Sequence, residues 1–320
     1  MSKNCKKLLH IIFNLEKQKS IVNLESIKNY LKLVDDNNNL ESDIVWLISN
    51  EYIKTDSVKN YKLTEKGLIE SDRISKAMII KEFDLKVGRL TNSKAYLDYC
   101  EEVYGYRMHL FNMMDKEQLD FLFNSINVSN QDSILDLGCG YGSILTELVK
   151  RFKCKGYGID QLSKRVVESQ DINFTYINMD MDNIREVGLK PSITISVDSL
   201  YFCSNLSEIV KHMKSLKDNR LYIFFSQYLF DTSAGKMILE YNNTTIAKVL
   251  EENNISFKYI EFSENERKLY ENSLKILPKY EKAFEQEGNL DLFTNKQRED
   301  QFGKELYDAG CARRYLYIIQ

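Results

Sequence analysis

The sequence predicts a doubly wound α/β fold with a seven-stranded, mostly parallel sheet, a small α+β module before it and a helical insertion before the last strand. Three observations support this prediction. From Ser133 onward, short apolar runs alternate with helical stretches, which is typical of a parallel sheet covered on both faces. A glycine-rich turn follows the first run. About fifty residues of charged, helical sequence, at 264–308, then separate the last two runs, too many for a plain connection.

Residues 1–75 form the predicted module. Its helices are expected at 8–17, 24–33 and 40–49, with a polar break at 35–39, and two strand-like runs follow at 52–55 and 59–64. This order, closing on "LTEKG", resembles a winged helix-turn-helix. The third helix of such a module reads DNA with cationic or amide side chains, yet no Arg or Lys occurs from Leu40 to Tyr52. We therefore expect dimerisation or substrate covering rather than DNA binding.

Residues 76–131 are expected to form a helical linker, rich in aromatics, that covers the substrate or donor. The domain from 132 to 320 then carries the sheet. The predicted strands are 133–137, 155–159, 173–177, 193–197, 221–225, 255–260 and 314–319, with helices near 144–152, 162–169 and 206–216.

Composition excludes several classes of protein. The formal net charge of −3 and a pI near 5.8 disfavour a polyanionic partner such as nucleic acid. The six cysteines form no C-x-x-C pair, which favours reduced thiols in the cytoplasm over disulfides or a metal site. The first apolar run has helical spacing rather than the form of a signal peptide, and no apolar window is long enough to span a membrane.

The turn "ILDLGCGYGS" is the most informative stretch. It places Gly138, Gly140 and Gly142 after a predicted strand, with Asp136 two positions before the first glycine. Two ligand classes compete for such a turn, dinucleotides and S-adenosylmethionine. The dinucleotide fingerprint is G-x-G-x-x-G, whereas the spacing here is G-x-G-x-G. "LDLGCGYG" resembles motif I of the class I S-adenosylmethionine-dependent methyltransferases.

The residue types fit a ligand held against the backbone. Side chains at Gly138 and Gly140 would collide with the ligand, and glycine also permits a positive φ. Asp136 is expected either to hold the loop through backbone N–H groups or to receive the ligand's ammonium through water. Asp160, at the end of the second strand, is placed to bind ribose hydroxyls in either ligand class.

The resemblance to the methyltransferases implies further contacts. It places the adenine at Asp180 with Met181, while Asp182 is expected to cap the next turn. The run "VDSLYF", 197–202, resembles motif IV of small-molecule methyltransferases and lacks the proline of the N/D-P-P-Y/F tetrapeptide of nucleic-acid amino-methyltransferases. The predicted cofactor-binding residues are Asp136, Gly138, Cys139, Gly140, Gly142, Asp160, Gln161, Asp180, Met181 and Asp198.

Methyl transfer from a sulfonium chiefly requires positioning, and a general base is optional. His109 is the candidate base, and Tyr106 and Tyr201 are the other catalytic candidates. Together with Tyr104 they are expected to line the pocket, because aromatic faces favour cations and a phenol can orient an acceptor. The charges at 285–289 and 298–300 are expected to be solvated, with contacts to the acceptor as the alternative. The His-x-x-x-Asp pattern of some O-methyltransferases with a similar N-terminal module is absent.

The sequence thus predicts a methyltransferase that takes S-adenosyl-L-methionine, releases S-adenosyl-L-homocysteine, uses no metal and methylates an O, N or C atom of a small molecule. The N-terminal module is expected to support a homodimer. Two alternatives remain open at this point: an S-adenosylmethionine-responsive transcription regulator without turnover, and a dinucleotide-dependent oxidoreductase.

Overall fold

The computed structural model describes residues 1–18, 20–32, 40–162, 173–230 and 236–320. The predicted polar break at 35–39 and most of the predicted helix at 162–169 lie outside these ranges. The N-terminal module consists of α1 (Lys3–Lys17), α2 (Leu24–Lys32), α3 (Leu40–Ser49), β1 (Ile53–Thr55), β2 (Tyr61–Leu63) and α4 (Glu65–Met78). The strands β1 and β2 pair antiparallel as a hairpin.

Seven strands of the described chain form the main sheet. They are β3 (Ser133–Leu137), β4 (Lys155–Asp160), β5 (Phe174–Asn178), β6 (Ile193–Val197), β7 (Arg220–Tyr228), β8 (Lys258–Glu261) and β9 (Ala312–Ile319). Their order is β5-β4-β3-β6-β7-β9-β8. Only β9 runs antiparallel to its neighbours β7 and β8, so the predicted mostly parallel, doubly wound sheet is confirmed.

Helices cover this sheet and follow the module. They are α5 (Asp84–Leu90), α6 (Lys94–Tyr104), α7 (Lys116–Ser125), α8 (Ser143–Phe152), α9 (Leu206–Ser215), α10 (Thr245–Glu252), α11 (Ser263–Ile276), α12 (Glu281–Gln286) and α13 (Leu290–Asp308). A π-helical turn, Ile79–Phe83, joins α4 to α5. Side chains at four of these helix starts accept backbone N–H groups: Ser93 at α6, Asp115 at α7, Asn205 at α9 and Thr244 at α10.

Alternating residues of the central strands build a core on each side of the sheet. Along β7, Tyr222 and Phe224 pack on the face that carries α6, α7 and α8, whereas Leu221, Ile223 and Phe225 pack on the face that carries α9 and α10. The period of two along a strand explains this division. Both faces are apolar because helices cover both.

The N-terminal module packs on the domain that follows it. Buried residues of α1 join one apolar cluster with Phe230 and with Phe302 and Leu306 of α13. Polar contacts add to this interface: the Lys17 ammonium donates to the Cys203 carbonyl at 2.6 Å, and Ser204 donates to Asp72 at 2.5 Å. The module therefore touches the loop that follows β6.

The insertion and the ends of the last strands complete the fold. The helices α11, α12 and α13 occupy the charged stretch between β8 and β9. The strand β8 starts at Lys258, three residues later than predicted, because Ile255 closes the turn after α10 through its N–H bond to Leu250. Within the described ranges, no helix combines the length and apolar character that a membrane crossing requires.

Candidate functional site

The glycine turn lies where β3 ends and α8 begins, at the carboxyl edge of the parallel strands. Gly138, Gly140 and Gly142 all have positive φ, +74°, +54° and +76°, a conformation that costs other residues about 1–2 kcal/mol. A Cβ at Gly138 would lie 2.3 Å from the Cβ of Ser199, and one at Gly142 would lie 2.6 Å from the Phe174 ring. A Cβ at Gly140 would meet nothing within 4 Å.

These contacts give a second reason for glycine at position 138. A side chain there would collide with Ser199 even without a ligand. Gly142 starts α8 and makes room for Phe174. Among the three glycines, only Gly140 has open space in the direction of its absent side chain.

The carboxylate of Asp160 fixes the shape of the turn. Its oxygens accept the backbone N–H of Gly140 at 2.7 Å and that of Leu162 at 3.1 Å. Burial raises the pKa of Asp160, and these N–H donors oppose that rise. Gly140 and Leu162 both line the cavity described below, so Asp160 holds in place the backbone that a ligand would touch.

Asp136 is buried and has no hydrogen bond to its carboxyl group within the described part of the chain. Burial, together with the negative charge of Asp160, raises the pKa of Asp136 to about 8. Holding the loop is therefore the role of Asp160. Asp136 is then a buried carboxyl group without this role. A cationic group of a ligand would stabilise its charged form.

These residues line a cavity of about 280 Å³, here called the loop cavity. It brings together ten of the predicted site residues: His109, Asp136, Gly138, Cys139, Gly140, Asp160, Gln161, Met181, Asp198 and Tyr201. Met179, Leu162 and Phe111 also line it and were not predicted as site residues. Their sequence does not distinguish them from core residues, because apolar side chains beside a sheet are more often part of the core.

Three predicted site residues lie outside the loop cavity. Tyr106 donates its hydroxyl to Asp120 and carries Lys116 over its ring, away from the site, so we remove it from the catalytic candidates. Gly142 packs on Phe174. The carboxylate of Asp180 accepts the N–H of Asp182 and caps the turn Met181–Glu186.

The capping role was thus assigned to the wrong acid. Asp182 instead accepts the backbone N–H groups of Ser204 and Asn205 at 2.9–3.0 Å. It therefore links the turn after β5 to the loop after β6.

His109 lines the loop cavity. Its Nε2 is buried and has no hydrogen-bond partner within the described residues, and its ring stacks on Tyr96 with centroids 6.2 Å apart. Burial lowers the pKa of His109. The imidazole is therefore neutral at pH 7, as a general base must be.

A second cavity, of about 130 Å³, adjoins the first and is here called the aromatic cavity. The two share a wall made of Phe83, Phe111, Asn112, Asp198 and Tyr201. Tyr96, Tyr104, Tyr228 and Phe284 also line the aromatic cavity, so Tyr104 and Tyr201 are both in its wall. Charged side chains reach it as well, from Lys86, Lys296 and Glu299.

A buried ion pair holds the shared wall in place. Asp198 has φ +52°, and its carboxylate accepts two hydrogen bonds from Arg314, at 2.7 and 3.0 Å, and one from the Met113 N–H at 3.0 Å. Burial acts to lower the pKa of Arg314, but Asp198 and Glu266 outweigh it and raise that pKa. The guanidinium is thus permanently charged.

The insertion helix α13 also differs from expectation. The charges at 298–300 were expected to be solvated, yet Asp300 is fully buried and bonds to Lys296 at 2.7 Å, and Glu299 lines the aromatic cavity. Glu287, in the other charged stretch, accepts the N–H of Ala95 at 2.9 Å at the start of α6. These acids therefore form contacts within the protein at or near the aromatic cavity rather than being solvated.

Comparison with known proteins supports the fold. No protein-family model matches the chain, and no curated protein matches its sequence. Its structure is similar to that of phosphoethanolamine N-methyltransferase 2 of Haemonchus contortus, solved with phosphomonomethylethanolamine and S-adenosylhomocysteine, with a TM-score of 0.57 and 10% identity. The match covers 81% of this chain and 61% of that one.

Two further structures are similar over most of their own length. The cyclopropane synthase MmaA2 of Mycobacterium tuberculosis has a TM-score of 0.56 and 9% identity, over 74% of this chain and 97% of that one. The [4+2]-cyclase SpnF has a TM-score of 0.52 and 10% identity, over 75% and 94%. The chain therefore has the Rossmann-like fold of the class I S-adenosylmethionine-dependent methyltransferases.

Proposed function

We propose that the protein is an S-adenosylmethionine-dependent methyltransferase that acts on an O, N or C atom of a small molecule. The observation that carries this proposal is the pair of cavities that meet at one wall. A donor in the loop cavity and an acceptor in the aromatic cavity would lie next to each other beside Asp198 and Tyr201, which line both cavities. Transfer of a group between two bound molecules requires such proximity.

The loop cavity offers a chemically matched group for each part of the donor. Asp136 is a buried carboxyl group suited to an ammonium, and Asp160 is a carboxylate suited to a ribose diol. Met179 and Met181 provide apolar surface for adenine. S-adenosylmethionine, when bound, supplies a methyl group on a sulfonium.

The chain's own residues then orient the acceptor and remove its proton. His109 lines the loop cavity two residues before Phe111 of the shared wall, and it is the proposed base where the acceptor still carries a proton. Burial and the charge of Asp198 raise the pKa of Tyr201, so this phenol stays protonated and can donate a hydrogen bond. The remaining aromatic side chains exclude water from the shared wall.

The size of the aromatic cavity favours a small acceptor. Its volume of about 130 Å³ is close to the ~150 Å³ of an engineered cavity that holds benzene. The outward face of α3, with Glu41, Val45 and Trp46 exposed, carries no cation for phosphate. Both features favour a small-molecule substrate over nucleic acid.

Calorimetric titration with S-adenosylhomocysteine tests the proposal. We expect micromolar binding to the wild-type protein and loss of binding in Gly140→Val, because the new side chain would point into open cavity space. Gly188→Val is the matched control: Gly188 also has positive φ, +65°, and open space around its missing side chain, but it lies outside both cavities. Asp160→Ala should also abolish binding.

The outcomes separate the alternatives. Absence of S-adenosylhomocysteine binding to the wild-type protein would overturn the proposal, and binding of NAD in its place would select the dinucleotide-dependent oxidoreductase. Binding without transfer of a labelled methyl group to any small acceptor, together with a salt-dependent shift of a DNA fragment, would select the regulator. Equal losses in Gly140→Val and Gly188→Val would show that backbone strain, not a filled cavity, causes the effect.

We also propose that the N-terminal module supports a homodimer. Val45, Trp46, Leu68 and Ile69 are exposed on α3 and α4, and Trp46 stacks on Tyr52 with an interplanar angle of 14°. Exposed apolar side chains of this size are typical of protein interfaces. Sedimentation of the wild-type protein should show a dimer, and Val45→Lys with Ile69→Lys should yield a monomer.

A further inference from the structure

Two lysines reach the same wall of the aromatic cavity. Lys86, on α5, pairs with Glu299 at 2.8 Å, and Lys296, on α13, pairs with Asp300 at 2.7 Å. Both ammonium-bearing side chains line the cavity. This wall, which we call the lysine wall, lies in a cavity that is otherwise mostly aromatic.

The surrounding structure holds Lys296 in its charged form. Its partner Asp300 is fully buried and accepts a hydrogen bond from Ser273, whose hydroxyl also bonds to Tyr99 at 2.5 Å. Burial acts to lower the pKa of Lys296, but the carboxylate of Asp300 outweighs burial and raises it. A buried chain of three residues thus keeps a cation at the cavity surface.

Two ammonium groups bring spare N–H donors to the cavity, and Glu299 brings one carboxylate, which Lys86 already pairs with. An ammonium has three N–H donors, and Lys86 and Lys296 each give one to a carboxylate. The carboxylate of Asp198, on the shared wall, already accepts three hydrogen bonds. A ligand would therefore find N–H donors at the lysine wall and little acceptor capacity at Asp198.

We infer that the aromatic cavity takes a small acceptor with an anionic group, either a carboxylate or a phosphate. The anion binds to Lys86 and Lys296, and the nucleophilic end of the acceptor then lies toward Tyr201 and the loop cavity. The cavity volume limits the acceptor to a molecule about the size of benzene, which a cavity of ~150 Å³ holds. This inference rests on the proposed methyl transfer and specifies its acceptor.

The test uses the protein saturated with S-adenosylhomocysteine. Acetate, inorganic phosphate and methylammonium are titrated separately by calorimetry, with the ionic strength held constant by chloride so that screening does not differ. We expect binding of acetate or of phosphate, and the preferred anion distinguishes a carboxylate acceptor from a phosphate acceptor. Methylammonium should not bind.

Variants then locate the anion. Lys86→Met should weaken anion binding at least tenfold, because one charged hydrogen bond is lost. The double variant Lys296→Met with Asp300→Asn should do the same, and removing both partners avoids leaving a buried charge. Lys304→Met is the matched control, because Lys304 lies on the same helix and pairs with Asp308 away from both cavities.

Two results would overturn the inference while leaving the proposed function intact. One is strong S-adenosylhomocysteine binding with no binding of either anion, or with preferential binding of methylammonium. The other is anion binding that Lys86→Met and the double variant leave unchanged. Loss of S-adenosylhomocysteine binding by the wild-type protein would instead reject the proposed function itself.

Discussion

Replacing Arg314 by Met tests whether the buried ion pair builds the shared wall. The Arg314 side chain is fully buried, and that of Asp198 is 7% exposed. The substitution would remove two hydrogen bonds from Asp198 and leave its carboxylate buried with only the Met113 N–H. Breaking a buried pair on one side costs about 3–5 kcal/mol, so we expect the free energy of unfolding to fall by about that amount.

A second substitution should recover most of this loss. In Arg314→Met with Asp198→Asn, no buried charge is left at position 198, and Asn tolerates the positive φ of that residue. Glu266 keeps hydrogen bonds from Ser226, at 2.6 Å, and Tyr307, at 2.8 Å. These bonds satisfy its carboxylate, so the cost that remains in the double variant is the loss of the guanidinium charge 3.6 Å away.

Urea denaturation measures both changes, and calorimetry reports S-adenosylhomocysteine binding by the folded protein. Arg313→Met is the matched control on the same strand, because Arg313 is 40% exposed and lies 3.6 Å from Glu261. It should change stability by less than about 1 kcal/mol. Unchanged stability of Arg314→Met, or a double variant no more stable than the single one, would refute the role assigned to the pair.

Three further outcomes follow from the geometry of the loop cavity. Asp136 has a pKa of about 8 in the folded protein against an ordinary value of 3.8, so the folded state binds the extra proton. Thermal stability of the ligand-free protein should therefore fall as pH rises from about 4 to 8, and Asp136→Asn should flatten this dependence. Gly138→Ala should lower stability, because its Cβ would meet that of Ser199 at 2.3 Å, and adding Ser199→Gly should restore part of it in the same thermal assay. His109→Gln should reduce labelled methyl transfer, and wild-type transfer should decline as pH falls through the lowered pKa of His109.

Each of these outcomes has a matched comparison. S-adenosylhomocysteine should reduce the loss of stability at high pH, because its ammonium favours the ionised Asp136; an identical profile with and without it would contradict that contact. Gly188→Ala introduces the same backbone strain as Gly138→Ala but no collision. Equal losses of stability in the two variants would show that the collision with Ser199 is not the cause. Tyr106→Phe should leave transfer unchanged, unlike His109→Gln.

The fold could be predicted because its signals are local. Apolar runs of strand length alternate with helical stretches, and the turn at 138–142 carries both the glycines and the acid before them. These features depend on residues a few positions apart. The predicted bounds of β8 and β9 were less accurate, because the lengths of these strands depend on their pairing with each other and with β7.

The supporting residues could not be predicted because their partners are distant in sequence. Arg314 reaches Asp198 only because β9 pairs with β7 beside β6. One signal was present: Arg314 is a charged residue at the start of the otherwise apolar run 314–319. Lys296 and Asp300 had no such signal, because a lysine and an acid four residues apart on a helix usually lie in solvent.

The fold alone does not determine the reaction, since a [4+2]-cyclase has a similar structure. In this chain, methyl transfer is favoured by how two cavities are arranged. Asp198 and Tyr201 line both cavities, and Arg314 holds Asp198 in place through hydrogen bonds. If Arg314→Met with Asp198→Asn keeps the affinity for S-adenosylhomocysteine but loses methyl transfer, the wall positions donor and acceptor. If both survive, the alignment of the two ligands comes from Tyr201 and the other aromatic side chains.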